Sequence, residues 1–230
     1  MTILHISDTH GLHKNFPMDR FKGVDVVVHS GDCSNPRSPW RNFPEVMAFI
    51  EWYKHVPVKH KIYVAGNHDS SIENKMVEAS DFAEAGITYL ENSEVTIDGV
   101  KFWGSPYTPT FGDWAFMKAR DKIYKVWAQI PEDVNVLITH GPPLGVLDLT
   151  YNRDNTLFRC GDRALLKKIM LGLPWLNAVL FGHIHNVDDI NNQGTIQFSG
   201  RSGVVFSNGS CVEDGRFDKG LISNGNIIQL

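Results

Sequence analysis

Histidine is the residue type whose placement in this sequence most clearly indicates chemistry. The chain has ten histidines among its 230 residues. Five of them lie beside glycines or in short polar stretches that follow an apolar run, namely His10, His68, His140, His183 and His185. Imidazole titrates near neutral pH and is a common metal ligand, so these residues could bind metal ions or move protons. A lone histidine is usually structural, and it is the set that favours a functional site.

Aspartate and asparagine occur in the same stretches as these histidines. Together the stretches offer seven oxygen and nitrogen donors, which are Asp8, His10, Asp32, Asn67, His140, His183 and His185. Seven donors are too many for one tetrahedral ion, and they suit two ions about 3.5–4 Å apart that share a carboxylate. Because the set holds carboxylate, amide and imidazole groups but no thiolate, it fits Mn, Fe, Zn or similar ions better than a cysteine-type zinc site.

Five short apolar runs precede these donors and are typical of buried strands. They are four to six residues long, at 3–6, 24–28, 62–65, 134–139 and 178–181, and each ends in a turn that contains glycine. In open α/β sheets, ligands bind beyond the carboxyl ends of the strands. We therefore expect the five turns to converge on one crevice.

Helical and hairpin patterns occupy most of the remaining chain. Apolar spacing predicts helices over 43–55, 73–85, 118–129 and 162–171, the last with Asp162 as N-cap and Gly172 as C-cap. The Asp98-Gly99 pair predicts a hairpin over 95–102, and further strands are predicted at 195–199, 203–207 and 227–228. Strands that alternate with helices and are followed by antiparallel strands indicate a layered α/β sandwich. With neither a linker nor an internal repeat, residues 1–230 are expected to form one domain.

Composition narrows the classes of function. The apolar fraction is 42% and the charged fraction 21%, which is ordinary for a globular protein. The net charge of −4 and the absence of a basic stripe disfavour nucleic acid as a partner. Three scattered cysteines predict reduced thiols, and no apolar run is long enough to span a membrane. We therefore expect a cytoplasmic protein with no membrane partner.

The ordered motifs resemble the signature of the calcineurin-like metallophosphoesterase superfamily. These motifs are Asp8-x-His10, Gly31-Asp32, Gly66-Asn67-His68-Asp69, His140 and Gly182-His183-x-His185. The stretches W-G-S-P-Y-T-P at 103–109 and T-H-G-P-P-L-G at 139–145 look like the subfamily of metallophosphoesterase-domain (MPPED) proteins. The similarity covers residues 3–212. It implies a four-layer α/β/β/α sandwich, which agrees with the layered pattern of elements.

The resemblance also implies a role for each donor. The first ion would be bound by Asp8, His10 and His185, and the second by Asn67, His140 and His183, with Asp32 bridging both. His68 matches the family's acid or transition-state-stabilising histidine, and Asp69 would orient it. Some MPPED relatives carry glycine where this chain has His183, so the histidine implies full two-metal activity. The expected cofactors are two divalent ions, Mn²⁺ first, with Fe, Zn, Ni, Co or Mg as alternatives.

This ligand set predicts a phosphoric ester hydrolase. Two cations would neutralise phosphoryl charge and acidify a bridging water, whose hydroxide would attack phosphorus in line while His68 assists the leaving group. The resemblance implies small phosphodiesters such as cyclic nucleotides. Asn67, His68, Tyr107 and Phe111 are the predicted substrate-binding residues. Two alternatives stay open, namely a catalytically idle protein whose metals stabilise a binding surface, and a nuclease acting on nucleic acid.

Overall fold

Two β-sheets form the centre of the molecule. The structure is a computed structural model that describes residues 1–152, 154–187, 189–198, 200–213 and 220–230. The first sheet contains the strands β1 (Thr2–Ile6), β2 (Val26–His29), β3 (His60–Tyr63), β4 (Thr88–Tyr89) and β15 (Asn226–Gln229). They are ordered β15-β1-β2-β3-β4, and only β15 is antiparallel to its neighbour. The carboxyl ends of β1, β2 and β3 therefore share one edge.

The second sheet contains six strands in the order β13-β14-β12-β9-β6-β5. These are β5 (Ser93–Ile97), β6 (Val100–Ser105), β9 (Val136–Thr139), β12 (Ala178–Phe181), β13 (Gly194–Gln197) and β14 (Val205–Asn208). The four central strands are parallel, so β9 and β12 also end at a common edge. Two small ribbons accompany the sheets: β7 (Thr108–Pro109) with β8 (Met117–Lys118), and β10 (Leu149–Tyr151) with β11 (Leu157–Arg159).

Helices cover the outer faces of both sheets. They are α1 (Pro39–Lys54), α2 (Ser70–Glu73), α3 (Ala79–Glu84), α4 (Tyr124–Trp127) and α5 (Arg163–Gly172), and 3-10 turns lie at His13–Asn15 and Met18–Phe21. In the described part of the chain, no helix has the length and apolarity needed to cross a membrane.

Three apolar clusters separate the layers. Val28 and Ile62 of the first sheet pack against Ile138 and Leu180 of the second, which places one cluster between the sheets. A second cluster joins the outer face of the first sheet to α1, and a third joins the second sheet to α4 and α5. The order is helix, sheet, sheet, helix. The predicted four-layer α/β/β/α sandwich is confirmed.

The hairpin prediction is confirmed in detail. β5 and β6 pair antiparallel, with Ile97 opposite Val100. The two residues between them, Asp98 and Gly99, have φ values of 48° and 82°. Positive φ at both central residues is the type I′ geometry that matches the twist of paired strands, and the Asp-Gly pair favours it.

Several predicted helix limits are wrong. The stretch 73–85 holds the end of α2 and all of α3 but is not one helix, because Lys75 has a φ of 58° and breaks the path. Of 118–129, only Tyr124–Trp127 is α-helical. Asp162 does cap α5, since its side chain accepts from the Leu165 N–H, but Gly172 lies inside the helix and Leu173 follows as the C-cap. Ser199, the last residue of the predicted strand 195–199, lies outside the described residues.

Candidate metal centre

The seven predicted donors lie at one end of the two-sheet sandwich. Five strands of the two sheets, β1, β2, β3, β9 and β12, each lead into a turn that carries one or two of them. Their side chains form three groups in which the ligand atoms lie within 4.8 Å of one another: Asp8 with His10 and His185, Asp32 with His140 and His183, and Asp32 with His10 and His68. The structure thus brings together the six charged or imidazole donors, and Asp32 belongs to two groups.

The seventh donor, Asn67, lies beside the Asp32 group. Its Oδ1 is 3.0 Å from His140 Nε2, and the same nitrogen is 3.4 Å from Asp32 Oδ2. On the other side of the site, His185 Nε2 lies 3.0 Å from Asp8 Oδ1. His10 is placed between the two, with Nε2 4.0 Å from a carboxylate oxygen of both Asp8 and Asp32.

Backbone carbonyls orient two of the imidazoles. His10 Nδ1 donates to the Ser34 carbonyl at 3.2 Å, and His140 Nδ1 donates to the Ser30 carbonyl at 2.9 Å. A carbonyl only accepts hydrogen bonds, so Nδ1 of each ring carries a proton. In His10, which burial keeps neutral, the Nε2 lone pair faces the carboxylates of Asp8 and Asp32. His140 also presents Nε2 to Asp32, and in both rings Nε2 is the nitrogen that would bind a metal ion once it carries no proton.

Strained backbone is concentrated at the donors. Asp8, His10, Asp32 and His183 all have positive φ, between 42° and 69°. Non-glycine L-residues rarely adopt this region of backbone conformation, and each residue that does so costs about 1–2 kcal/mol of stability. Four such residues at one site indicate that the surrounding fold holds the donors in place.

Two glycines allow the turns to approach the carboxylates. A Cβ on Gly182 would overlap the carboxylate of Asp8, and one on Gly66 would overlap that of Asp32. The backbone at these glycines is therefore packed directly against the carboxylates. The G-H-x-H and G-N-H-D motifs need glycine for this close packing.

The two carboxylates are ionised although they are buried. Burial raises the pKa of Asp8, but its hydrogen bond to His185 and the neighbouring histidines hold the pKa well below its usual range. Burial likewise raises the pKa of Asp32, but the opposing effect of His140 and His68 is larger, so the pKa of Asp32 lies below its usual value. Asp8 also accepts from the His183 N–H at 2.9 Å and from Ser210 Oγ at 3.0 Å.

His140 is the imidazole that compensates this charge. Burial lowers its pKa, but Asp32 raises the pKa to about 9. His10 and His183 respond differently, because burial lowers the pKa of each to about 3 and keeps both rings neutral. Among the described residues, neither Asp8 nor Asp32 is paired with Lys or Arg. Two buried carboxylates surrounded by imidazole nitrogens and an amide oxygen are a donor set that fits two divalent cations.

A cavity of about 160 Å³ opens over the donors. Its lining includes His10, Asp32, Asn67, His183 and His185, while Asp8 and His140 are fully buried beneath it. The cavity also exposes one face of His68. A substrate that enters it therefore meets five of the seven donors and the predicted acid together.

His68 is held at the mouth of this cavity. Its Nδ1 donates to the Asn35 carbonyl at 2.8 Å, and its ring lies 4.5 Å from the Trp114 ring. Its backbone N–H donates to Asp32 Oδ1 at 2.7 Å. With Nδ1 occupied, Nε2 is the nitrogen left for chemistry.

The predicted contact between Asp69 and the His68 ring is wrong. The Asp69 carboxylate is buried and accepts from the Asp32 N–H at 2.9 Å and the Gly66 N–H at 2.7 Å. It also accepts from Tyr63 OH at 2.6 Å and Ser34 Oγ at 2.8 Å. Because neighbouring side chains in the turn point to different sides, Asp69 joins the Asp32 and Gly66 turns, and the Asn35 carbonyl contacts His68 instead.

The two predicted aromatic substrate contacts have different positions. Phe111 lines the cavity, is 53% exposed and lies 5.2 Å from the His183 ring. Tyr107 is not among the described residues that line it, because its ring packs edge-on against Phe116 at 5.8 Å and under the Lys118 ammonium.

Sequence reasoning missed Trp114 and Asn42. Trp114 lines the cavity, and its ring lies 4.5 Å from the His68 ring and 4.9 Å from the Arg37 guanidinium carbon. Asn42 is buried in α1, and its Nδ2 donates to the His68 carbonyl at 2.7 Å. An asparagine within a helix was the signal available for the second. The first had none beyond an aromatic in a Gly- and Pro-rich stretch.

Known proteins resemble this chain in sequence. Residues 1–187 match the family described as Calcineurin-like phosphoesterase. A UPF0046 protein of Caenorhabditis elegans is 34% identical over 212 residues, which cover 86% of this chain and 68% of that protein. Metallophosphoesterase domain-containing protein 1 of Homo sapiens is 32% identical over 217 residues, covering 84% of this chain and 63% of that protein. A solved structure of a hypothetical protein from Thermus thermophilus aligns with a TM-score of 0.47 and 14% identity, over 91% of this chain and 77% of that one. The chain thus spans about two thirds of the length of these curated relatives.

Proposed function

The chain belongs to the calcineurin-like phosphoesterase family, and we propose that it hydrolyses small phosphodiesters, including cyclic nucleotides. The reaction would use two divalent metal ions, with Mn²⁺ as the first candidate. One observation carries the proposal. Two groups of donors, Asp8 with His10 and His185 and Asp32 with His140 and His183, are linked by a third that holds His10 and Asp32, and the cavity above them is also lined by His68. A candidate proton donor beside a donor set that suits two cations supports this proposal, because two-metal sites promote phosphoryl transfer to water.

The two groups of donors divide the work of binding metal. Asp8, His10 and His185 would hold one ion, and His140, His183 and Asn67 the other, with Asp32 shared. When bound, the ions supply positive charge to phosphoryl oxygens and lower the pKa of water. The protein contributes the fixed positions, since the carbonyls of Ser34 and Ser30 hold two of the rings.

We infer that His68 protonates the leaving oxygen. The Asn35 carbonyl fixes the ring through Nδ1, the ring packs 4.5 Å from that of Trp114, and His68 is among the residues that line the cavity. A protonated imidazole donates from Nε2 without losing its Nδ1 hydrogen bond. Asn42 and the Asp32 carboxylate hold the backbone of the same turn, so the geometry of the acid is coupled to that of the metal site.

Turnover of an aryl phosphodiester tests the proposal. Chelated protein should be inactive, and Mn²⁺ should restore hydrolysis of bis(p-nitrophenyl) phosphate. Asp32→Asn should abolish the restored rate, whereas Asp133→Asn, an exposed carboxylate paired with Lys101, should keep it. The same assay with cyclic nucleotides and aryl monoesters, repeated with several divalent metals, defines the substrate class.

Each alternative function has its own outcome in this assay. Bound metal without turnover of any ester would contradict the proposal and favour a metal-stabilised binding protein. Cleavage of DNA or RNA at low salt at a rate above that of the small diesters would favour a nuclease. Full activity after complete chelation would contradict the metal dependence.

A further inference from the structure

A second cavity of about 280 Å³ adjoins the metal site. The two cavities share the lining residues Phe111, Thr150, His183 and Ile184, so they lie side by side. One molecule can therefore place a phosphoryl group over the donors and a substituent in the second cavity. Neither the family match nor the relatives assign a role to this space.

The walls of the second cavity are largely aromatic and apolar. Phe111 lines it together with Tyr151 and Phe158, which belong to the β10–β11 ribbon. Phe111 is 53% exposed and Phe158 is 40% exposed. Exposed aromatic rings around a concavity indicate a site that is covered by a ligand.

The ribbon is fixed relative to the metal site. Asp148 is fully buried at its base and accepts from the Arg159 guanidinium at 2.7 Å and from the Gly145 N–H at 2.8 Å. Asn192 Nδ2 donates both to the Leu149 carbonyl of β10 at 2.8 Å and to the carbonyl of His185 at 2.9 Å. The wall of the second cavity and a metal-binding turn are therefore joined by one buried side chain.

The charge of the second cavity suits a phosphoester. Among the described residues that line the second cavity, Arg120 carries a positive charge. The Arg120 guanidinium donates to the carbonyls of Cys160 and Gly161. A cation held at this wall attracts a phosphoester anion, whereas a carboxylate would repel it. An apolar cavity of about 150 Å³ accommodates benzene, so 280 Å³ has room for a ring of one or two cycles.

We propose that this second cavity is a subsite for a flat aromatic ring attached to the phosphorus-bearing group, and that Phe158 and Phe111 select substrates with such a ring. The inference rests on the proposed function, because the phosphoryl group must bind at the metal site. Stacking on the two rings favours a planar substituent over a round one of similar size.

Phosphonate binding tests this subsite without turnover. Affinities of phenylphosphonate, tert-butylphosphonate and methylphosphonate for the Mn²⁺-loaded protein are measured by titration calorimetry. Phenylphosphonate should bind about 2–13-fold more tightly than either of the others, since an aromatic pair contributes about 0.5–1.5 kcal/mol. Phe158→Ala should remove most of this ratio.

Leu157 provides the matched control. It precedes Phe158 on β11, is 48% exposed and is absent from the described lining of both cavities. Leu157→Ala should keep the phenyl-to-methyl ratio of the unsubstituted protein. Equal affinities for the three phosphonates, or equal losses of the ratio in the two variants, would overturn the subsite and leave the proposed function standing. No binding of any phosphonate to the metal-loaded protein would overturn both.

Discussion

The clearest consequence of the structure concerns Asp69, whose carboxylate joins two metal-site turns. Asp69→Ala removes the acceptor of the Asp32 N–H, the Gly66 N–H, Tyr63 OH and Ser34 Oγ. All lie within 2.9 Å of the carboxylate, which is fully buried. The substitution leaves four buried donors without this acceptor, and an unsatisfied buried donor costs about 1–3 kcal/mol; with water satisfying some of them, the total loss should be about 3–5 kcal/mol.

The expected effect is large in two measurements. In a chain of 230 residues, 1 kcal/mol shifts the Tm by about 2–4 °C, so Asp69→Ala should lower the Tm of the metal-free protein by about 6–20 °C. Tyr63→Phe removes a single hydrogen bond to the same charge and should cost about 1.5–3 kcal/mol. The conservative Asp69→Asn should fold but bind metal more weakly, because the Asp32 turn loses part of its support.

The kinetics of Asp69→Asn separate two roles for this carboxylate. If it acts on the Asp32 and Gly66 turns, the variant should lose the same fraction of rate on an alkyl and on a nitrophenyl phosphodiester, and added Mn²⁺ should restore part of it. Metal titration and rates on both diesters check this. Unchanged metal affinity with a loss confined to the alkyl diester would refute the reasoning, since it would show that Asp69 acts through His68.

Four further substitutions test other parts of the site and core. His68→Ala should lose about 10²–10⁴-fold in rate on a cyclic nucleotide, with its metal content unchanged. It should lose much less on a nitrophenyl diester, because that leaving group departs without a proton. Equal losses on the two substrates would instead assign His68 to charge stabilisation. Asp32→Asn should weaken both ions whereas His183→Gly should chiefly weaken one, as counted by elemental analysis, and two tightly held ions in Asp32→Asn would contradict the bridge. Burial lowers the pKa of His13 from 6.5 to about 4, so the unfolded chain takes up a proton below pH 6.5 that the native state refuses until about pH 4. Between pH 7 and pH 5 the free energy of unfolding should therefore fall by about 2 kcal/mol less in His13→Leu than in the unsubstituted protein. Urea unfolding in EDTA at the two pH values measures this, and equal losses in the two proteins would contradict it.

The positions of the donors were predictable because each follows a strand. A run such as Ala178–Phe181 ends at a glycine and is followed at once by His183 and His185, and the structure keeps this order. The parallel strands then bring their carboxyl ends together, so the convergence of the turns follows from topology. The grouping of Asp8 with His185, 177 residues apart, depends on which strands are neighbours, and the family resemblance supplied that pairing.

Contacts between distant side chains were not predictable in this way. Asp69 follows His68 directly, and this adjacency favoured a contact that the turn geometry prevents. Trp114 reaches His68 from a segment with no periodic pattern. Lys75 has positive φ inside a stretch with helical spacing, because tertiary packing there outweighs local propensity.

Anomalous diffraction from crystals of the Mn²⁺-loaded protein shows whether Asp32 bridges two ions. We expect two anomalous peaks about 3.5–4 Å apart, with Asp32 in contact with both. One peak should lie among Asp8, His10 and His185, and the other among Asn67, His140 and His183. A single peak, or two peaks of which Asp32 touches only one, would contradict a two-metal centre bridged by this carboxylate.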